Sequence, residues 1–170
     1  MSEFHTARES FVYQLGSALR TERTALEIFQ MSSRAVREDA VIDLIERLRD
    51  GVDQRITRLE RVFRELRETA IESPSSGMHG IKKGIHENSK RMGKGVADLV
   101  LLQGVTEAGY YQLGVYVNLK VCAQALRRRR IAATMDASVS DLREDLGESV
   151  ALQARLASPA TPGSRRSSAR

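Results

Sequence analysis

The sequence predicts an all-α protein, an up-down four-helix bundle made of two helical hairpins and a long crossover with short accessory helices. Three observations carry this reading. Apolar residues recur at helical spacing over long segments, and no run has the period of two that a strand requires. Aromatic residues are only 5% of the chain and Trp is absent, which suits helices better than sheets. The stretch Val96–Cys122 is long, nearly free of charge and apolar on more than one side, which predicts a helix buried among others.

Thr6-Ala7-Arg8-Glu9 has the form of a capping box and opens the first helix, whose stripe is Val12, Leu15, Leu19, Leu26 and Phe29. Glu22 stands at the missing step of that stripe, so its carboxylate is placed inward; the plain local reading is a snorkelling or arginine-paired glutamate, with Arg20 and Arg23 beside it. Ser32-Ser33, followed by Asp39 as an N-cap, predicts a break. The second helix has one continuous face from Val41 through Leu44, Leu48, Val52, Ile56 and Leu59 to Leu66, with Gly51 on its flank. Ser73-Pro74-Ser75-Ser76-Gly77 breaks the chain again, and the glycine- and lysine-rich stretch after it reads as a short helix in the crossover. His79 and His86 are expected at the surface, because no acid or cysteine completes a ligand set at metal spacing.

In the long apolar helix the only charges are Asp98, Glu107 and Lys120, and Tyr110, Tyr111 and Tyr116 each need a partner if buried. Asp136 or Ser138 is expected to cap the last helix, with stripe Val139, Leu142, Leu146, Ser149, Gln153 and Leu156. Ser158-Pro159 and Pro162-Gly163 then end a single domain, residues 1–157, leaving 158–170 as a basic tail of disordered composition.

The formal charge of +5 is local: without the three arginines after Ser158 it is +2, and without Arg127–Arg130 as well it is −2. Arg127, Arg128, Arg129 and Arg130, with Arg165 and Arg166, are the candidate nucleic-acid contacts. No interleaved aromatics accompany them, so any phosphate attraction is unspecific and solvated charge is the simpler reading. The single cysteine fits a reducing compartment, the start MSEFHTARES lacks a secretory pattern, and no apolar run reaches membrane-spanning length. A cytoplasmic location without membrane attachment is expected. There is no phosphate loop or triad-like set, and nothing places a histidine beside Cys122.

Five segments, in order, resemble a known family. RLERVF, GMHGIKKG, VADLVLL, GYYQLGVYVNL and LGESVALQARL are similar to successive motifs of the YciE/YciF-type ferritin-like proteins, a bacterial family associated with stress. The resemblance implies a ferritin-like bundle, and the family's inward acids and histidine resemble a carboxylate-bridged two-metal site. Matched position by position, Glu22 is the first-helix glutamate. Leu48 stands where the second-helix histidine would be, with Asp50 the one acid just after it. Gly109 and Gln112 stand at the two glutamate positions of the third helix, Glu107 is an acid at a new place, and Glu148 survives in the last helix beside Ser149.

Two divalent ions in an apolar core need several anionic or imidazole ligands. The resemblance therefore implies a degenerate site, a non-catalytic structural or interaction role, and no cofactor. The alternative is one iron or other divalent ion held by Glu22, Asp50, Glu107 and Glu148, with residual oxidoreductase activity. The preferred account is a buried network in which Gln103, Tyr110, Tyr111 and Gln112 satisfy Glu22 and Glu107; on it, Glu22→Gln is neutral or stabilising. Apolar surface left over by the long helix predicts a homodimer.

Overall fold

The computed structural model describes residues 6–89, 91, 93 and 96–158. Its helices are α1 (Ala7–Ser33), α2 (Asp39–Leu66), α3 (Ser76–Ser89), α4 (Ala97–Ala125) and α5 (Arg129–Ala157), and the described residues contain no strand. Most of the predicted tail, with Arg165 and Arg166, lies outside them.

Local chemistry sets the helix ends. At α1 the capping box is formed: Glu9 N–H donates to Thr6 Oγ1 at 3.1 Å and Thr6 N–H to Glu9 Oε2 at 3.0 Å. The start of α2 differs from the expected cap, because Asp39 is already helical and Glu38 is the N-cap, without a side-chain capping bond. A carboxylate from another helix serves that end instead. The backbone N–H groups of Arg37 and Glu38 donate to Asp98 of α4, at 3.1 and 2.9 Å. Helix α5 begins earlier than Asp136 or Ser138 because Ile131 and Met135, both fully buried, extend its apolar stripe backwards. Asp136 pairs with Lys120 at 2.5 Å instead.

Cross-helix contacts give the topology. Gln14 meets Cys122 and Glu22 meets Gln112, so α1 runs antiparallel to α4. Arg58 meets Asp141 and Arg47 meets Glu148, so α2 runs antiparallel to α5. Asp98 at the start of α4 reaches the start of α2, so those two are parallel and the chain must travel the length of the bundle between them. Residues 67–75 and α3 make that journey. The segment lies so close over α1 that a Cβ on Gly16 would stand 2.4 Å from the carbonyl oxygen of Ile71.

Two apolar clusters make up the core. One joins Phe11, Leu15 and Leu19 to Leu59, Phe63, Tyr116, Ile131 and Met135. The other joins Ala25, Ile28 and Phe29 to Leu44, Ile45, Met78, Ile85, Leu102 and Val105. In sequence, Glu22, Arg55 and Gln112 each fall between members of the first and members of the second. A polar layer thus interrupts the core at mid-height. Helix α4 is not buried all round: α1, α3 and α5 cover it, but Gln103, Glu107, Tyr110, Gly114, Val117 and Val121 form an exposed stripe.

Candidate functional site

The polar layer is built from all four long helices. Glu22 sits on the apolar stripe of α1 and is 0% exposed; Arg55 sits on the corresponding stripe of α2, between Val52 and Leu59, and is 1% exposed. Arg55 Nε donates to Glu22 Oε1 at 3.1 Å, and its Nη1 to Asp145 Oδ2 of α5 at 3.2 Å. From α4, Gln112 Nε2 donates to Glu22 Oε2 at 2.7 Å. The Tyr116 phenol lies one turn beyond Gln112, buried and close to Glu22, but makes no hydrogen bond of ordinary geometry. Burial pushes it well above the usual tyrosine range and the charge of Glu22 adds to this, so it stays neutral.

Two carboxyl groups share one guanidinium here, at 3.1 and 3.2 Å, and burial sets the direction in which each carboxyl is shifted. Burial raises the Glu22 carboxyl above its ordinary range, by more than the adjacent Arg55 guanidinium and the hydrogen bonds lower it. Arg55 also loses hydration, but the attraction of Glu22 holds its pKa above the ordinary arginine value. The two shifts pull in opposite senses for one pair. The guanidinium is the more secure charge, since arginine does not deprotonate in proteins. Asp145 is raised by burial too, yet it retains 27% exposure and so keeps its charge more easily than Glu22.

Beside this layer is a cavity of ≈ 10 Å³, room for one water at most. Its lining includes Leu48, Gly109, Gln112 and Ser149, the positions at which the resemblance predicted ligands, together with Arg55 and Asp145. The space at Gly109 is taken by Leu146, whose Cδ2 would stand 3.0 Å from a Cβ there. The Ser149 hydroxyl donates to the Asp145 carbonyl at 2.8 Å rather than into the cavity.

The predicted site residues are otherwise scattered. Glu107 lies on the exposed stripe of α4, where Gln103 Nε2 donates to it at 3.1 Å, so neither belongs to the buried network. The reason is register: the inward positions of this helix are 105, 108, 112, 116 and 119, not 103, 107 and 110. Tyr110 is 55% exposed. Tyr111 is half-buried against the crossover, its hydroxyl accepting from Ser75 Oγ at 3.4 Å, while Ser75 also bonds Thr21 at 2.8 Å. Asp50 is exposed, and Glu148 pairs with Arg47 at 3.0 Å on the surface. Of the four acids, only Glu22 reaches the interior. Among the described residues, no group of three or more His, Cys, Asp or Glu side chains stands where it could hold a metal ion.

Glu22 is arginine-paired, as its local reading allowed, but not by its neighbours: Arg20 and Arg23 both turn outward to Glu72. Sequence reasoning missed Arg55. The signal was present, for Arg55 breaks the apolar stripe of α2 just as Glu22 breaks that of α1. Arg127–Arg130 are all exposed: Arg127, with a left-handed φ of 56°, and Arg128 lie between α4 and α5, and Arg129 and Arg130 open α5.

Residues 6–156 match the family described as Domain of unknown function (DUF892). Among solved structures, the chain is similar to the E. coli stress protein YciF, with 15% identity and a TM-score of 0.84, over 90% of this chain and 98% of that one. It is also similar to YcfI from Rhodopseudomonas palustris, with 18% identity and a TM-score of 0.74, over 94% of this chain and 98% of that one. No match was found among curated proteins. Likeness at these identities establishes the fold, a ferritin-like helical bundle.

Proposed function

The chain belongs to the DUF892 family, and on that premise we propose that it is a stress-associated ferritin-like protein with a non-catalytic structural or interaction role and a central site no longer suited to two metal ions. One observation carries this reading: the single interior carboxylate of the predicted set, Glu22, is already engaged by Arg55 and Gln112. A two-metal centre does not fit this donor set. Leu48, Gly109 and Ser149 supply no anionic ligand to the cavity, and the fixed guanidinium repels any cation brought beside Glu22. Metal analysis of protein purified under reducing conditions tests the reading. The expected content is well below one ion of iron, manganese or zinc per chain; a stoichiometric content that survives gel filtration overturns it.

Self-association fits this role. Tyr110, Val117 and Val121 present an apolar stripe on α4, adjoined by Tyr13 of α1, and a second copy of the chain is the proposed cover, forming a homodimer. A second reading, weak association with nucleic acid, is favoured by the exposure of all four residues Arg127–Arg130 at one end of the bundle.

A further inference from the structure

We infer that the centre of this bundle is a cation site filled from within, the guanidinium of Arg55 being its permanent occupant. The inference rests on the metal-free reading above and goes further, because it assigns what replaces the ion. Carboxylates from α1 and α5 converge on different nitrogens of one side chain, at 3.1 Å for Glu22 and 3.2 Å for Asp145. A carboxamide from α4 orients the deeper of them at 2.7 Å. Planar, forked and always charged, a guanidinium can bind two carboxylates on separate arms, which a point charge on a flexible stem does less well.

The helix carrying Arg55 is shaped for this. One turn earlier stands Gly51, where a Cβ would lie 3.1 Å from Arg55 Nη1 and 3.5 Å from Asp145 Oδ2. A side chain there would crowd the guanidinium and its second carboxylate. Leu146 fills the space at Gly109, and the remaining cavity of ≈ 10 Å³ has room for one water at most. The layer therefore carries one cation, two carboxyl groups and space for no more than a single water. Removing the arginine side chain opens a chamber walled by Glu22 and Asp145, and the ligand class such a chamber takes is a small planar cation, an alkylguanidinium.

The test compares Arg55→Lys with Arg55→Met, which have similar length and differ in charge, and adds ethylguanidinium to Arg55→Ala. Arg55→Met is expected to lower Tm on the order of 10 °C, because it leaves buried acid without its cation. Arg55→Lys should lose clearly less, and Glu22→Gln in the Arg55→Met background should recover part of the loss. Ethylguanidinium at millimolar concentration should raise the Tm of Arg55→Ala by about 3 °C or more, as expected for a ligand well above its dissociation constant. Wild type and Arg55→Ala/Glu22→Gln should not respond. A Lys variant no more stable than the Met variant overturns the inference, and this comparison stands even if Arg55→Ala does not fold. Absence of rescue in folded Arg55→Ala also overturns it. Either result in protein that is metal-free leaves the proposed function intact, whereas stoichiometric metal in the wild type removes both.

Discussion

Gln112 Nε2 stands 2.7 Å from Glu22 Oε2, joining α4 to α1 through the middle of the bundle. The bond holds a carboxyl group whose pKa burial has raised above its ordinary value of 4.5, and the direction of that shift fixes how stability depends on pH. A carboxyl raised on folding contributes stability that is fully present below about pH 4.5 and is lost as pH rises through the folded pKa. Glu22→Gln removes this dependence while Arg55 keeps Asp145 as its partner. The variant is expected to gain on the wild type as pH rises from about 4.5, becoming neutral or more stable by about 1 kcal/mol near neutrality. Urea unfolding of both proteins across that range checks it. A variant that loses stability relative to the wild type as pH rises would refute the raised carboxyl.

The left-handed residue that ends α2 gives a second prediction. Arg67 has φ 58°, with its N–H donating to the Arg64 and Phe63 carbonyls and Glu68 N–H to Phe63 O at 3.0 Å. This is the position at which glycine is ordinarily found. Arg67→Gly should stabilise the protein by about 0.5–1 kcal/mol, since a Cβ in that region is strained. A lower midpoint in denaturant would mean that the arginine side chain makes a contact outweighing the strain.

For the homodimer, sedimentation of the wild type at micromolar concentration is expected to give a dimer. Val121→Lys, at a position 56% exposed in the single chain, should give a monomer with unchanged helicity. A wild-type monomer at that concentration, or a dimer unaffected by Val121→Lys, argues against the α4 stripe as the interface.

Should the basic end bind nucleic acid, replacing Arg128, Arg129 and Arg130 together by Ala would weaken binding and flatten its salt dependence by about 0.9 in log–log slope per lost phosphate contact on duplex DNA. Deleting 158–170 should act in the same sense on binding and leave Tm nearly unchanged, the segment having no apolar periodicity. Filter binding at several salt concentrations decides it. Identical slopes for all three proteins would exclude both basic segments.

The fold was legible because the stripes on α1 and α2, the capping box at Thr6 and the break at Ser73–Gly77 are local features, each stated by a few neighbouring residues. The family resemblance read from five segments agrees with the match over residues 6–156. Glu22 and Gln112 were identifiable as inward polar groups. The pairing of Glu22 with Arg55 was not, since a contact 33 residues apart depends on which helix faces meet. Glu107 misled because α4 is apolar on nearly every side, so periodicity alone could not tell its inward face from its outward one. The start of α5 was placed late because four arginines read as a loop, although Ile131 and Met135 already continued the stripe.

The polar layer at mid-height also bears on how the chain avoids wrong arrangements while folding. Four long helices with apolar stripes on both sides of that layer have little in their aliphatic contacts to forbid one helix from sliding a turn, about 5.4 Å, along its neighbour. With Glu22, Arg55, Gln112 and Asp145 at one level, such a slip would leave a charge facing Leu or Phe instead of its partner. A buried ion pair adds little net stability, and its best-attested use is to specify register. The interrupted core thus serves as an alignment mark among the helices, penalising the misaligned bundles more than it stabilises the correct one.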